Sequence, residues 1–195
     1  MQIKMPFGVR PAFHTSGQGN PRVQMGTVAS QPAKSLYQNM PVKIDANGVV
    51  VPIDTVTDQV FAIFVGLQYI DVNGLVKERN QIAAGTPLFG NGSPEINNGD
   101  AYTSVGSPYL YQDPAMEFAV QANGPMARSS IGKSFNIDLT TMAAASGVGI
   151  SKALLDNTAV AALAGQFIVT ELENVPGNTW GDPFTIVKVK FNNIL

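Results

Sequence analysis

The stretch Asp113-Pro114-Ala115-Met116-Glu117-Phe118-Ala119-Val120-Gln121-Ala122-Asn123-Gly124, with its sequel Gly132-Lys133-Ser134-Phe135-Asn136-Ile137-Asp138-Leu139, decides the fold. The first half opens on Asp-Pro, runs through β-formers and stops at Asn-Gly, the punctuation of a single strand. In the second half Phe135, Ile137 and Leu139 alternate with Asn136 and Asp138, a period of two that gives a strand one buried face. Phe118, Val120, Phe135, Ile137 and Leu139 are therefore expected in the core. Between the halves lies Ala127-Arg128-Ser129-Ser130-Ile131-Gly132-Lys133-Ser134, a relaxed phosphate-loop pattern with Ala in place of the first Gly. A phosphate loop needs a helix behind it, so that N-terminal amides face the phosphates. A strand-like run follows instead, and the segment is expected to be a surface hairpin loop.

The β signals continue outward. Val42-Lys43-Ile44 and Val49-Val50-Val51-Pro52-Ile53 flank Asp45-Ala46-Asn47-Gly48, which predicts a hairpin with an Asn-Gly corner. Residues 59–69 form the longest apolar run and predict a central strand, with Gly66 at a bulge or a close backbone approach. Thr86-Pro87-Leu88-Phe89 predicts a short edge strand, and the Gly/Asn-rich loop after it is long enough to project at about residues 90–112. Asp156-Asn157-Thr158 is expected to cap a brief helix over residues 159–164, stopped by Gly165. Residues 167–172 and 184–191 predict two strands, joined by a loop that holds the only Trp, Trp180. Short strands at near-regular spacing indicate a mainly β fold, a single barrel or sandwich-like domain with at most short helices.

Residues 1–41 read differently. Pro6, Pro11, Pro21, Pro32 and Pro41 recur among glycines, so neither a helix nor a central strand runs far. Apolar residues are spread along the same path, Phe7, Val9 and Phe13 among them. The pattern predicts an extended N-terminal arm lying on a surface, its own or a neighbour's, with residues 42–195 as the body. Tyr102, Tyr109 and Trp180 sit in Gly/Pro/Asn-rich surroundings, where aromatics serve either as core plugs or as anchors for a partner.

Composition narrows the function. Charged residues make up 13% of the 195, about half the usual share, and the net charge is −2 with no basic cluster. Nucleic acid is a poor partner, since phosphate neutralisation needs several Lys or Arg on one face. No apolar run approaches the ~20 residues that span a bilayer, so no membrane partner is expected. With no Cys and one His, the usual zinc ligand sets are missing. His14 sits in the arm without the rigid strand–turn–helix that supports a nucleophile, and the scattered carboxylates single out no acid–base pair. No catalytic residue, metal or cofactor is expected.

Four segments carry a family resemblance. Met5-Pro6-Phe7-Gly8-Val9-Arg10-Pro11 is similar to the Pro-Phe-Gly-Leu-Arg-Pro opening of capsid cement, or decoration, proteins of tailed bacteriophages, with Val9 in place of Leu. The run Phe61 to Tyr69 resembles their apolar strand before an insertion. Asp113-Pro114 followed by Phe118-Ala119-Val120-Gln121 resembles their Asp-Pro…Phe-x-Val-Gln segment, and the ending Gly165-Gln166-Phe167-Ile168-Val169…Gly181-Asp182-Pro183…Val187-Lys188-Val189-Lys190-Phe191-Asn192 completes the likeness. The resemblance implies a structural virion protein on the outer capsid surface, bound to the major capsid protein and bridging its neighbouring subunits. Further copies of the same chain, as a homodimer or homotrimer, are the other implied partner. Phe7, Arg10, Pro11 and Phe13 are the expected arm contacts, with Arg10 meeting a carboxylate or carbonyl. The alternatives are a tail- or fibre-associated protein, or a β module that binds a glycan or small ligand through the 90–112 loop. On the arm reading, removal of residues 1–20 leaves a folded β core and weakens attachment.

Overall fold

Frequent Gly and Pro keep every element short, because each Pro removes a ladder donor and each turn glycine redirects the chain. The computed structural model describes residues 3–17, 22–24, 27–29, 32–70, 75–85, 104–105, 107–142 and 149–192. In chain order the strands are β1 (Arg10–His14), β2 (Val23–Gln24), β3 (Val28–Ala29), β4 (Leu36–Tyr37), β5 (Met40–Ile44), β6 (Val50–Pro52), β7 (Ala62–Ile70) and β8 (Val76–Arg79). They continue with β9 (Gln81–Ile82), β10 (Ser104–Val105), β11 (Ser107–Tyr111), β12 (Met116–Gln121), β13 (Ser134–Asp138), β14 (Leu154–Val160), β15 (Phe167–Leu172) and β16 (Ile186–Phe191). Among the described residues helix is confined to α1 (Leu139–Met142) and two single 3-10 turns. No described helix is long and apolar enough to cross a membrane. The fold is mainly β.

Two six-stranded antiparallel sheets carry it. The first runs β1-β12-β16-β15-β13-β14; the second runs β2-β11-β7-β5-β6, with β8 also paired to β7. One continuous core joins them, drawing Phe118, Phe135 and Phe167 from the first sheet and Val42, Phe64 and Leu110 from the second. Phe191 packs at 4.9 Å from the Phe118 ring and 5.8 Å from Phe167. The expected core residues Phe118, Val120, Phe135 and Ile137 are all buried, and Leu139 packs half-buried against them.

The first sheet curls toward closure without reaching it. Ala122, just past β12, makes one parallel bridge to Leu155 of β14, and the Asn123 N–H donates to the Leu155 carbonyl at 2.8 Å. Beyond that point β14 turns to solvent, with Asn157, Thr158 and Ala159 exposed, so the ladder does not extend. Of the two architectures open from sequence, the described strands adopt open sheets over a shared core, and among them no barrel closes.

Several local expectations hold. The 45–48 turn joins β5 to β6: Gly48 has φ +76°, and Asp45 Oδ1 accepts from the N–H groups of Asn47 and Val49. Residues 62–70 are the centre of the second sheet. Gly66 serves both expected purposes: the ladder to β11 shifts register there, and an added Cβ would lie 2.9 Å from the Arg79 carbonyl oxygen. Two expectations fail. Residues 127–134 are not a hairpin loop, because β16 and β15 lie between β12 and β13; the connection instead passes two strands, fixed by the Gly132 N–H on the Val169 carbonyl at 2.8 Å. Periodicity identifies strands but not their neighbours. Asp156-Asn157-Thr158 belongs to β14 rather than capping a helix, and only a 3-10 turn (Ala161–Leu163) follows, capped by no side chain. Gly165 is required by space, since a Cβ there would meet the Phe135 nitrogen at 2.6 Å. The expected strand at residues 86–89 and residues 90–103 of the expected 90–112 loop lie outside the described residues, as does most of the Ala-rich segment after Met142; the later part of that loop is instead strand, in β10 and β11.

The described part of residues 1–41 is extended and lies on the chain's own sheets. β1 pairs with β12, β2 with β11, β3 with β10 and β4 with β9, while Val9, Val28 and Leu36 are core residues. This revises the expected effect of truncation. Burial of Val9 alone is worth about 2 kcal/mol, and β1 adds a ladder along β12. Removal of residues 1–14 should lower the unfolding free energy read from urea titration by several kcal/mol or abolish folding, whereas removal of residues 1–6 should change it by less than about 1 kcal/mol. A wild-type midpoint for the longer truncation would show that β1 is dispensable to the body.

Candidate functional site

Residues 3–9 form a strap held by side-chain amides. Gln121, the last residue of β12, is buried; its Oε1 accepts from the Met5 N–H and its Nε2 donates to the Ile3 carbonyl, both at 3.0 Å. One carboxamide thus does for the strap what a neighbouring strand would do. Asn39 holds the other end: Nδ2 donates to the Phe7 carbonyl at 3.0 Å, and its own carbonyl accepts from the Val9 N–H at 2.9 Å. Gly8 between them has φ +72°, and a Cβ there would stand 2.6 Å from the Asn39 carbonyl oxygen, so only glycine fits.

With its backbone tied inward, the strap turns apolar side chains outward. Ile3 is 64% exposed and Met5 65%. Phe7, half-buried, lies under the Arg10 guanidinium at 4.7 Å from the ring centroid. Arg10 also reaches the Glu173 carboxylate at 3.8 Å, a weak pairing given that Arg10 is largely in water. In β1, Pro11 stands opposite Phe118, and a bulge follows that re-aims Phe13 opposite Glu117 on the solvent side, 48% exposed. Phe7, Arg10, Pro11 and Phe13 therefore do share one region.

The other aromatics do not join them. Tyr109, on β11 of the second sheet, donates its hydroxyl to Glu78 Oε1 at 3.0 Å beneath Arg22; the Glu78 bond pushes its pKa above the ordinary tyrosine value. Trp180, in the β15–β16 connection, packs half-buried against the core as a plug. Tyr102 lies outside the described residues.

His14 is buried and forms a chain that resembles a hydrolase triad. Nε2 lies 3.1 Å from Asp113 Oδ2, and Ser16 Oγ lies 2.7 Å from Nδ1. The Ser16 N–H also points at Nδ1, at 3.3 Å, which makes Nδ1 an acceptor and places the proton on Nε2. Acyl transfer further needs backbone donors free to receive an oxyanion. Here the Thr15 N–H goes to the Ala115 carbonyl and the Gly17 N–H to the His14 carbonyl, so the donors on either side of Ser16 are engaged as well. The chain of bonds pins the end of β1 to the Asp113-Pro114 turn. Asp113 accepts the Ala115 N–H and the His14 ring, and both hold its carboxyl below the ordinary range.

An open cleft of about 1060 Å³ runs between the end of β5, residues 57–61 and residues 112–114. Ile44, Val60 and Phe61 supply apolar lining, with the carboxamides Gln59 and Gln112 beside them. Its charges are committed within the protein: Lys43 Nζ donates to Asp54 at 2.8 Å and to Asp58 at 2.9 Å, and Asp58 Oδ2 accepts the N–H groups of Asp54 and Thr55. Among the described residues no three His, Cys, Asp or Glu side chains converge as metal ligands. The amide clasp was not read from the sequence; an Asn or Gln within a strand pattern gives no sign of which backbone it will hold.

No family model, no curated protein and no solved structure matches this chain.

Burial pushes the Asp58 carboxyl up, but the Asp54 N–H, the Lys43 ammonium and the Thr55 N–H outweigh it and hold the pKa well below the usual carboxylate range. A lowered folded-state pKa adds stability that is present above the unfolded value near 4 and lost as pH falls toward the folded one. Asp58→Asn should therefore cost about 1–3 kcal/mol at pH 7, and the gap from wild type should narrow below about pH 4. A gap that stays constant down to acid unfolding, followed by circular dichroism, would refute this role.

Proposed function

We propose that this chain is a structural virion protein that binds the outer surface of an assembled phage capsid and bridges neighbouring major capsid subunits. One observation carries the reading: a strap whose backbone is fixed by Gln121 and Asn39 while Ile3, Met5 and Phe13 face solvent. An exposed apolar line on a pre-organised backbone suits protein contact, since little ordering entropy remains to be lost on binding. The low charge of the chain limits the desolvation cost of a large interface. The likeness of the 5–11 and 113–121 segments to phage cement proteins supports the same assignment. Bound to the lattice and not to free subunits, such a protein stabilises the shell by mass action. Copies of the chain meeting as dimers or trimers around a symmetry axis belong to the same proposal.

A second reading rests on the cleft between β5 and residues 112–114, whose apolar lining and carboxamides Gln59 and Gln112 suit a neutral glycan or small ligand.

Shells prepared from particles lacking this protein provide the test. Added back, the intact chain should co-sediment with shells and raise the temperature at which they open, while the 1–6 truncation, still folded, should bind at least tenfold more weakly. Absence of binding by the intact chain would remove the capsid reading.

A further inference from the structure

A recess of about 330 Å³ opens where the two sheets meet. Met40 of β5, Pro52 of β6 and the following Ile53 form its walls on the second sheet. Leu139 and Met142 of α1, which continues from β13, form them on the first. Met40 is 2% exposed, Ile53 1% and Met142 5%, so the recess reaches into the core. Natural interiors leave few voids larger than a water molecule, and an apolar cavity of about 150 Å³ already takes a benzene-sized molecule. Pockets for small ligands begin at about 300 Å³.

The polar side chains around the recess narrow what it can take. Lys34 Nζ donates to Asp54 Oδ2 at 2.7 Å, so the two charges at the rim are paired with each other. Ser35 Oγ accepts the Ala84 N–H at 2.9 Å. Of the polar side chains lining the recess, only the Tyr37 hydroxyl has no partner among the described residues. A matching occupant is therefore neutral, mostly apolar and able to accept one hydrogen bond.

The walls are largely fixed beforehand. Asp138 Oδ1 accepts the Thr140 N–H at 3.0 Å, while Thr141 Oγ1 donates to the Asp138 carbonyl at 2.8 Å and accepts the Leu154 N–H at 3.1 Å, which holds α1 from both sides. Tyr37 is held through β4, which pairs with β9. Walls set in advance reduce the ordering that binding must offset. The two methionines add adaptability, since an unbranched thioether fits irregular shapes.

We infer that this recess is a binding site for a small neutral organic molecule, its apolar body against Met40, Ile53 and Met142 and one acceptor on the Tyr37 hydroxyl. The recess shares no lining residue with the cleft beside residues 112–114, and the inference depends on neither reading of function given above. Because its walls belong to both sheets, an occupant ties one to the other and stabilises the fold by mass action.

Acetophenone, a neutral ring with one carbonyl, and ethylbenzene, of similar shape without the acceptor, test it on the full chain labelled at its methionine methyl groups. Acetophenone should shift the Met40 and Met142 resonances saturably, with a dissociation constant below about 1 mM, and leave Met5 on the strap unmoved. Tyr37→Phe, which keeps the ring, should weaken acetophenone about three- to tenfold and leave ethylbenzene binding unchanged. Absence of a saturable shift at about 10 mM acetophenone would overturn the site. Equal acetophenone binding by Tyr37→Phe and the intact chain would overturn the ligand class. Shifts of the same size at Met116 and Met126, buried outside the recess, would show general entry into the core and would overturn the assignment as well.

Discussion

The pairing of β12 with both ends of the chain is the constraint on which the rest depends. Its one edge takes β1, with Arg10 opposite Ala119; its other takes β16, with Gln121 opposite Ile186. Its inward residues Phe118 and Val120 enter the shared core, and its final side chain, Gln121, holds the strap. Strand, core and strap are thus set by six consecutive residues. A one-residue slip of β12 would turn Phe118 to solvent and move Gln121 away from Met5 at the same time, so core packing and strap placement select the same register.

Carboxamides perform much of the joining that charges do elsewhere. Gln121 and Asn39 hold the strap, Asn192 holds the Leu163 turn, and Asn178 donates to the carbonyls of Glu173 and Ile186 across the base of the β15–β16 connection. An amide both donates and accepts, so it can substitute for a missing strand without carrying a buried charge. This explains how a chain with 13% charged residues satisfies so much irregular backbone while keeping a weakly charged exterior.

Much of the fold was legible because strand identity is a local property. The alternation at residues 135–139, the Asn-Gly corner at 47–48 and the apolar run at 62–70 each sit where the period and turn chemistry put them. Neighbour relations were not legible: nothing near residues 116–121 indicates that the last strand will pair with them, which is why residues 127–134 looked like a hairpin loop. The candidate site divides the same way. Phe7, Pro11 and Phe13 were legible as an apolar line amid prolines, and the structure brings them with Arg10 into one region. The left-handed turn at Leu163 was not legible, because a backbone angle and an exposure leave no mark on composition.

The two-sided pairing of β12 also sets an order of events. A ribosome delivers β1 more than a hundred residues before its partner strand, and the other edge of β12 stays unfilled until β16, the last described strand, emerges. Contacts so distant in sequence slow folding, because the intervening chain must be closed before any of them forms. The nascent chain therefore carries unpaired strand edges until β16 has emerged, and the first sheet is completed only then. The prolines and glycines of residues 1–41 thereby acquire a second use: they keep that segment from pairing with its own kind while it waits.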